Sequence, residues 1–574
     1  MHILAIPFLP VYPSKHSKMA PSKKSVKKSP VPTETTKPTK VAPQTASAPQ
    51  SVLKYTSKED IPAIVQNLTK QHNQEHQTHS LQFRLNQLRN IYFAVKDNID
   101  AFSEALYKDF GRSPEETLTL EYVTFMNELV HTMAHLHKWM KPTPVDGLTL
   151  AVKTNSVYVE HVPLGVVLII APFNYPLLLS LSSLIGAISA GNSVVLKVSE
   201  LTPHFAQKLT EVLTSVLDPS VFAMVNGGVE ETTLLLDQKF DKIMYTGSTT
   251  VGKIIAKKAA ETLTPVLLEL GGKSPAFVLE DVKELEIDAV ARRIVWGRFT
   301  NAGQTCVAID YVLVHETLKE KLVSAIVKVV EEQFYKTLDA KDPSYTHIIH
   351  QRAFDTLKKM IELSSGKICT GGTTDAETRF IAPTVIDNVD WSDSTMQQEI
   401  FGPVLPILTY TDLKAAVKQV VTRHDTPLAL YIFTSGSHSR AKNVDLDYIQ
   451  TNIRSGGTVI NDSVLHVSLA NAPFGGIGNS GQGAYHGIYS FRAFSHERTT
   501  METKLSMDFA VSSRYPPCEP KKINVMQLSM TSYNGAVWFG RTGDVKPNGP
   551  SLLWSAWKGT LGVSALLYYL FQAM

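Results

Sequence analysis

Apolar and polar positions follow two different periods along this chain. From about Ser57 to Met140, apolar residues recur three and four positions apart with few glycines or prolines, which predicts helices. From Pro163 onward, short apolar runs alternate with segments of helical period, and this alternation predicts βαβ units around a buried parallel sheet. The apolar runs are 165–171, 193–197, 222–226 and 242–247, and the helical segments are 176–190, 203–217 and 251–262.

A second series of strands and helices extends from Leu267 to about Asn452, so we expect two successive α/β domains. One helix start is specific, because Thr202 precedes Pro203. This pair predicts a capping hydroxyl followed by proline at the first helical position. At 574 residues the chain is long enough for several domains of ordinary size, each with its own core.

The N-terminal segment differs in composition from the rest of the chain. Residues 13–52 hold almost no large apolar side chains, and residues 1–50 carry eight lysines with Glu34 as their one acid. We therefore expect 1–53 to be a disordered basic tail. Because this tail carries +7 and the whole chain +3, the remainder carries about −4, which argues against a nucleic-acid-binding protein.

The last segment, 551–574, is strongly apolar. Its final 23 residues contain one charge, Lys558, and as a helix they would extend about 35 Å, enough for a bilayer core. We expect a membrane anchor here; an interfacial helix and a helix docked on an apolar surface are the alternatives.

The cysteine content excludes two classes of structure. Three cysteines (Cys306, Cys369 and Cys518) cannot form a disulfide framework in so long a chain, and there is no CxxC pair to suggest zinc. We therefore expect a reducing compartment and no structural metal.

Three segments contain residues suited to covalent chemistry on a carbonyl group. Cys306 follows a polar, glycine-containing turn and precedes a strand, a setting in which backbone N–H groups can lower a thiol pKa and hold an oxyanion. Glu269 lies in an apolar run, where partial desolvation raises proton affinity and suits a general base. Asn174 follows a strand between two prolines, where its amide can donate to a developing negative oxygen. Taken singly, each has a structural alternative: core filler, salt-bridge partner and turn former.

Two segments compete as a phosphate-binding turn. Gly476–Gly481 fits G-x-G-x-x-G, but no apolar strand precedes it and more glycines follow it, so we reject it. In Tyr245–Gly252 a strand runs into a glycine turn and then a helix, whose first N–H groups can face a pyrophosphate. Lys197 and Glu200 follow the neighbouring strand and can bind ribose hydroxyls, because open α/β sheets take ligands at the carboxyl ends of their strands.

Seven segments, in chain order, resemble the aldehyde dehydrogenase superfamily. They are APFNYP, LKVSELTP, YTGSTTVGK, LELGGKSP, NAGQTCVA, QEIFGPVLPI (398–407) and Ala472–Arg498. The last of them, together with RYPPC (514–518), is similar to the class 3 and fatty aldehyde dehydrogenase branch. The likeness spans roughly residues 55–520.

The resemblance implies an α/β fold with a Rossmann-type cofactor domain, an α/β catalytic domain and a small bridging domain that makes a homodimer. The corresponding ranges are 54–145 and 165–268 for the NAD(P)-binding domain, 269–455 for the catalytic domain, 146–164 and 456–515 for the bridging segments, and 516–550 for a linker.

The resemblance also implies roles for single residues. Cys306 matches the nucleophile, Glu269 the motif glutamate and Asn174 the oxyanion-binding amide. The implied cofactor contacts are Lys197 and Glu200 at the adenosine ribose, Gly247 and Ser248 at the pyrophosphate turn that ends at Gly252, and Glu399 and Phe401 near nicotinamide and its ribose. Val198, where the family usually has proline, loosens a turn beside Lys197 and leaves the choice between NAD and NADP open.

These assignments imply oxidation of an aldehyde to a carboxylic acid. Cys306 would form a thiohemiacetal, hydride would pass to nicotinamide, and Glu269 would activate water against the resulting thioester. Retained Cys306, Glu269 and Asn174 argue against an inactive membrane-tethered scaffold. Retention of Glu269 also argues against an enzyme that passes the thioester to coenzyme A.

A membrane anchor would favour a long-chain fatty aldehyde as the substrate. Another lipophilic aldehyde, such as an apocarotenal, a retinal-like polyene or an aromatic aldehyde, is the alternative. We expect the catalytic domain to face the cytosol on the endoplasmic reticulum, the mitochondrial outer membrane or a lipid droplet.

Overall fold

The structure is a computed structural model, and it describes residues 52–149, 152–153, 155–336, 338–530 and 541–545. Residues 1–51 of the predicted basic tail and residues 551–574 of the predicted membrane anchor lie outside this part of the chain. The predicted end of the tail at residue 53 is wrong, because Leu53 is buried in the core. Within the described residues, no helix combines the length and the apolar character needed to cross a bilayer.

The α-helices of the described residues are α1 (Asp60–Glu75), α2 (Leu81–Phe110), α3 (Pro114–Thr117), α4 (Val123–Trp139), α5 (Pro176–Ser189), α6 (Pro203–Val216), α7 (Val229–Leu236), α8 (Thr249–Ala260), α9 (Ile287–Phe299), α10 (Lys319–Lys328), α11 (Gln351–Glu362), α12 (Leu413–His424), α13 (Val444–Asn452), α14 (Gly487–Ala493) and α15 (Pro520–Met530). A π-helical turn, Leu118–Tyr122, joins α3 to α4.

The strands of the same residues are β1 (Thr143–Pro144), β2 (Ser156–Pro163), β3 (Val166–Ile170), β4 (Ser193–Lys197), β5 (Phe222–Met224), β6 (Lys242–Thr246), β7 (Val266–Glu269), β8 (Pro275–Val278), β9 (Tyr311–His315), β10 (Lys367–Thr370), β11 (Thr374–Asp375), β12 (Phe380–Ile381), β13 (Thr384–Asp387), β14 (Val404–Tyr410), β15 (Ala429–Phe433), β16 (Gly457–Ile460), β17 (Gly481–Gln482) and β18 (Ser495–Glu502).

The first sheet has six strands in the order β17-β7-β6-β3-β4-β5, parallel except for β17. Every residue of β3 and β4 is buried, and α5, which connects these two strands, is mostly apolar and is buried along its whole length. Such continuous apolar runs are typical of parallel strands covered on both faces. The predicted Rossmann-type domain is confirmed.

The strand order of this sheet reverses at β3. The chain leaves β3 through α5 to β4 on one side and later returns to β6 on the other side. Ligands of doubly wound sheets bind in the crevice beyond the carboxyl ends of the strands at such a reversal. The loops that follow β3, β4 and β6 therefore face one crevice.

A second sheet has seven strands in the order β10-β13-β14-β9-β8-β15-β16, parallel except for the pairing of β10 with β13. A separate antiparallel sheet is built from β1, β2 and β18. The segment predicted as bridging, 456–515, thus divides among three sheets: β16 extends the seven-stranded sheet, β17 extends the six-stranded sheet, and β18 pairs with β2.

The start of α6 corrects one prediction. Pro203 occupies the first turn, as expected, but the Thr202 hydroxyl donates to the Ser199 carbonyl oxygen at 3.4 Å and does not cap the helix. The Asp109 carboxylate, at the end of α2, accepts from the backbone N–H groups of His204 and Phe205 at 3.0 and 2.9 Å instead. A carboxylate is a stronger acceptor than a hydroxyl and also complements the helix dipole, so it takes the capping place.

Candidate active site

Cys306 is placed by a tight turn between α9 and β9. Asn301 and Ala302 have φ values of +55° and +50°, and Gly303 has φ +72°. A Cβ atom at Gly303 would lie 2.2 Å from the Gly402 carbonyl oxygen, so glycine is required by the close approach of the two backbones. Left-handed conformations at non-glycine residues are costly and cluster at functional sites. The turn points the Cys306 side chain toward the six-stranded sheet.

The Cys306 thiol meets the carboxylate of Glu269, the last residue of β7. Sγ lies 3.6 Å from Oε1 of Glu269 and donates to it. Burial, followed by the negative charges of Glu269 and Glu399, raises the pKa of the Cys306 thiol well above its usual range. The expectation of a lowered thiol pKa is wrong for this state, because backbone N–H groups do not outweigh burial and two carboxylates.

Glu269 is buried and has partners for both carboxylate oxygens. Oε2 accepts from the Tyr485 hydroxyl at 2.5 Å and from the Thr246 hydroxyl at 3.2 Å. Burial raises the pKa of the Glu269 carboxyl, and the Tyr485 hydrogen bond is the largest of the effects that oppose it. The predicted desolvation of this carboxylate is therefore present in the fold.

Asn174 lies beside the turn that carries Cys306. Its side-chain Nδ2 donates to the Gln304 carbonyl oxygen at 3.0 Å, and its own carbonyl oxygen accepts from Asn301 Nδ2 at 3.0 Å. The Arg112 guanidinium donates to the same carbonyl. These bonds fix the backbone of Asn174, and its side-chain amide donates to a residue two positions before Cys306. The oxyanion role of Asn174 stays a prediction.

A buried ion pair, Arg112–Glu121, holds the backbone of Asn174 in place through Arg112. Arg112 and Glu121 are fully buried and hydrogen-bonded to each other. Glu121 also accepts from the backbone N–H of Leu178 at 2.9 Å, in the first turn of α5, where Tyr175 supplies no side-chain cap. The Glu121 carboxylate therefore caps α5, and Arg112 balances its charge.

The residues predicted to bind adenosine and pyrophosphate lie around the crevice of the six-stranded sheet. Lys197 Nζ and the Glu200 carboxylate form an ion pair of 2.7 Å at the end of β4. Ser248 caps α8, since its hydroxyl accepts from the Val251 N–H at 3.4 Å. Gly247 directly follows β6, and a Cβ atom at Gly252 would lie 2.6 Å from the Leu270 side chain. The strand, turn and helix predicted here are confirmed.

Glu399 and Phe401 lie on a loop close to Cys306. Glu399 Oε1 is buried and has no hydrogen-bond partner among the described residues, and burial raises the pKa of this carboxyl to about 8. Phe401 has φ +51° and its ring packs edge-on against Phe173 at 6.0 Å. An unpartnered buried acceptor beside the strand-end crevice fits the hydroxyls of a nicotinamide ribose.

The fingerprint-like segment Gly476–Gly481, which was rejected as a phosphate-binding turn, has a structural role. It forms a short turn and then β17, in which Gly481 lies opposite Glu269 in the antiparallel pairing with β7. A Cβ atom at Gly476 would lie 1.9 Å from the Ser480 carbonyl oxygen. These glycines permit close backbone approach beside the base and do not open a helix.

An apolar cavity of about 110 Å³ leads to Cys306 and Glu269. Its lining is mostly aliphatic and aromatic: Leu120, Tyr175, Leu178, Leu179, Trp296, Val464, Leu465, Val467 and Phe474. Thr119 and Leu465 are exposed and mark the mouth, while Tyr485 and His486 close the inner end. The reacting groups thus lie at the buried end of an apolar passage.

The sequence predicts no role for Tyr485, His486, Glu128 or the Arg112–Glu121 pair. Tyr485 and His486 lie in a segment used for the resemblance, but nothing local indicated that they would reach a residue more than 200 positions earlier. Glu128 and Glu121 carried a weak signal, because each is an acid on the apolar face of a helical pattern.

Comparisons with known proteins identify one family. The model of the Aldehyde dehydrogenase family matches residues 31–500. The fatty aldehyde dehydrogenase HFD1 of Saccharomyces cerevisiae is 40% identical over 512 residues, which cover 86% of this chain and 94% of that protein. The dimeric NADP-preferring aldehyde dehydrogenase of Rattus norvegicus is 40% identical over 444 residues, or 77% of this chain and 95% of that protein.

A solved structure is similar over most of the described fold. The substrate-bound state of Staphylococcus aureus AldH superimposes with a TM-score of 0.77 at 36% sequence identity. The match covers 81% of this chain and 98% of that chain.

Proposed function

This chain belongs to the aldehyde dehydrogenase family, and we propose that it oxidises long-chain, lipophilic aldehydes to carboxylic acids. The activity is NAD(P)-dependent. One observation carries the substrate proposal: Cys306 and Glu269 meet at the inner end of a cavity whose lining is mostly apolar. Each methylene group that leaves water for such a lining contributes about 0.8 kcal/mol, which favours long hydrocarbon chains.

The chemistry begins with the Cys306 thiol. Glu269, 3.6 Å away, is the base placed to accept its proton as sulfur bonds to the aldehyde carbon. The Asn174 amide and the Cys306 backbone N–H then hold the oxyanion of the thiohemiacetal. Bound NAD(P)+ supplies the hydride acceptor. Glu269 releases the thiol proton to solvent before the second step. Its carboxylate then takes a proton from the water that attacks the Cys306 thioester, this proton passes to the leaving sulfur, and the carboxylic acid is released.

We infer NAD as the preferred cofactor, with NADP as the alternative. Glu200 is placed to accept hydrogen bonds from ribose hydroxyls, and its negative charge disfavours a phosphate group at the same position. The neighbouring Lys197 partly balances that charge, which permits some use of NADP. Glu399 would receive the hydroxyls of the nicotinamide ribose.

We also propose a homodimer, as in the relative named dimeric. Within the described residues, β18 and β16 are edge strands of their sheets. An edge strand presents unpaired N–H and C=O groups to a second chain, and two such edges allow a symmetric exchange of pairing.

We further propose that 551–574 attaches the enzyme to a membrane with its catalytic domain in the cytosol, on the endoplasmic reticulum, the mitochondrial outer membrane or a lipid droplet. The composition of this segment supports the proposal, as does an apolar substrate cavity, since lipophilic aldehydes partition into bilayers.

The substrate class can be tested by assaying the full-length chain with aldehydes of about 2 to 16 carbons. This series roughly spans soluble to membrane-partitioned substrates. We expect NADH formation to be most efficient with hexadecanal. Highest kcat/KM for short, soluble aldehydes would contradict the proposal, and highest kcat/KM for apocarotenals or aromatic aldehydes would favour the alternative.

A pair of cysteine variants would test the nucleophile. Cys306→Ala should form no NADH, whereas Cys369→Ala, which changes a cysteine on β10, should keep wild-type turnover. Appreciable turnover by Cys306→Ala would refute the assignment of the nucleophile.

A truncated form, 1–550, would test the anchor. It should leave the membrane fraction and keep its activity on short aldehydes. Persistence of that form in the membrane fraction would place the attachment elsewhere.

A further inference from the structure

A chain of buried polar groups begins beside Glu269, at the inner end of the cavity that leads to Cys306. Its first member is Tyr485, which is completely buried and donates to Glu269 Oε2 at 2.5 Å. The same carboxylate meets the Cys306 thiol through its other oxygen, Oε1. Tyr485 therefore holds one oxygen of the base while the other faces the nucleophile.

The second member is His486, whose ring stacks on the ring of Tyr485. The two centroids lie 4.4 Å apart and the planes make an angle of 21°. His486 has φ +82°, a backbone conformation that side chains other than glycine rarely adopt. Its backbone N–H donates to the Ser490 hydroxyl at 2.8 Å, which helps to retain this conformation. Strain kept at such a position indicates a functional constraint.

The third member is Glu128, a buried carboxylate on α4. It lies 2.9 Å from His486 Nδ1, and it accepts from the Ser182 hydroxyl at 2.7 Å and from the Gly487 N–H at 3.1 Å. The Glu128 carboxylate raises the pKa of the His486 imidazole, and His486 is the largest of the influences that lower the pKa of Glu128. Both directions favour the ionised pair, whose imidazole ring stacks on Tyr485.

We propose that Glu128, His486 and Tyr485, together called the support chain, are positioning residues that keep the Glu269 carboxylate aimed at Cys306 and ionised, ready to act as a base. This inference rests on the proposed function. Tyr485 acts through a hydrogen bond to the charged form, and the imidazolium of His486 acts through its field. Both oppose the tendency of a buried carboxyl to keep its proton.

The titratable groups around the base define what a pH experiment measures. Cys306, Tyr485 and His486 face Glu269, Glu128 lies behind His486, and Glu399 acts on Cys306. Tyr485 titrates far above neutrality, because burial and Glu269 both raise the pKa of its hydroxyl. The acid limb of kcat against pH therefore reports on Glu269 and the groups that stabilise its charge.

The decisive variant is Tyr485→Phe, which removes one hydroxyl and keeps the ring that stacks on His486. A hydrogen bond to a charged group corresponds to a factor of about 10 to 100 in rate, so kcat should fall by that amount. The acid limb should move to higher pH. Thiol acylation and thioester hydrolysis should both slow, because Glu269 is the base in each step. Tyr410→Phe is the matched control, because it removes another buried hydroxyl, one that donates to the Val278 carbonyl oxygen at 3.2 Å.

Glu128→Gln keeps the shape of its side chain but removes the partner that charges His486, so the acid limb should again move to higher pH. It provides the same test if Tyr485→Phe does not fold. A wild-type kcat and pH profile in either folded variant would overturn the support chain. A loss of thiol acylation and of thioester hydrolysis with an unmoved acid limb would also overturn it, because it would indicate a structural role alone. Failure of the wild-type chain to oxidise any aldehyde would instead refute the proposed function.

Discussion

The apolar mouth of the cavity allows a test of how substrate length is selected. Leu465 lines the cavity and is 50% exposed, so it can be replaced without opening the protein core. In Leu465→Asp, a carboxylate would replace aliphatic surface where a long hydrocarbon chain leaves the cavity. Short aldehydes, which end nearer to Cys306, would not reach this position.

The expected effect follows from the exposed surface of Leu465. Full burial of a leucine side chain contributes about 1.5 to 3 kcal/mol, and a substrate that covers the exposed half would contribute roughly 1 kcal/mol. At 1.36 kcal/mol for each factor of ten, kcat/KM for long-chain aldehydes should fall by about fivefold. The cost of desolvating the new carboxylate adds to this loss.

The assay is NADH formation with ethanal, hexanal and hexadecanal, for wild type and Leu465→Asp in parallel. We expect unchanged kcat/KM with ethanal and a loss that grows with chain length. Leu285→Asp, which changes an 82% exposed leucine outside the cavity lining, is the control and should match wild type throughout. The same loss with all three aldehydes, or none with hexadecanal, would refute the proposed path of the hydrocarbon chain.

Three other perturbations have expected outcomes. Burial raises the pKa of the Glu399 carboxyl from 4.5 to about 8, so the folded protein retains a proton that the unfolded chain releases, and stability falls as the pH rises between these values. In Glu399→Gln the melting temperature, measured without cofactor, should fall less over this pH range. An unchanged slope would contradict the burial of this carboxyl. In Gly252→Val the new side chain would collide with Leu270 and displace the start of α8, which follows the predicted pyrophosphate turn. The Kd of NAD+, measured by fluorescence titration, should rise on the order of tenfold. An unchanged Kd would indicate that the cofactor binds elsewhere. Arg112→Met leaves the buried Glu121 carboxylate without its counterion, at a cost of about 3 to 5 kcal/mol. Melting temperature and turnover should therefore fall together. Wild-type values of both would show that the Arg112–Glu121 pair is not needed to hold Asn174 in place.

The periods of the apolar pattern predicted the six-stranded sheet closely. β4 occupies 193–197 as predicted, and the helices after β3 and β4 begin at Pro176 and Pro203. Local signals sufficed here because a strand buried on both faces requires an uninterrupted apolar run, and proline favours the first turn of a helix. The cap of α6 could not be predicted in the same way, since Asp109 reaches it from another helix.

The site residues that lie in recognisable motifs could be predicted from the sequence. Those that reach the site through long-range tertiary contacts could not. Cys306, Glu269 and Asn174 were identified by their segments, and the fold brings all of them together. The raised pKa of Cys306 depends on burial and on Glu399, which lies 93 positions further along the chain, so local sequence gave the opposite direction. Tyr485 was missed for the same reason.

The pairing of β17 with β7 has a consequence for how the protein is made. Tyr485 contacts Glu269 across 216 positions of sequence, and Gly481 completes the edge of the six-stranded sheet beside that glutamate. On the ribosome, β7 emerges long before its last partner, so the growing chain carries an open strand edge through the synthesis of the entire seven-stranded sheet. Long-range closure of this kind slows folding and exposes the nascent chain to aggregation. The enzyme should therefore depend on chaperones during synthesis, and a chain that stops before Gly481 should lack both its catalytic base geometry and its solubility.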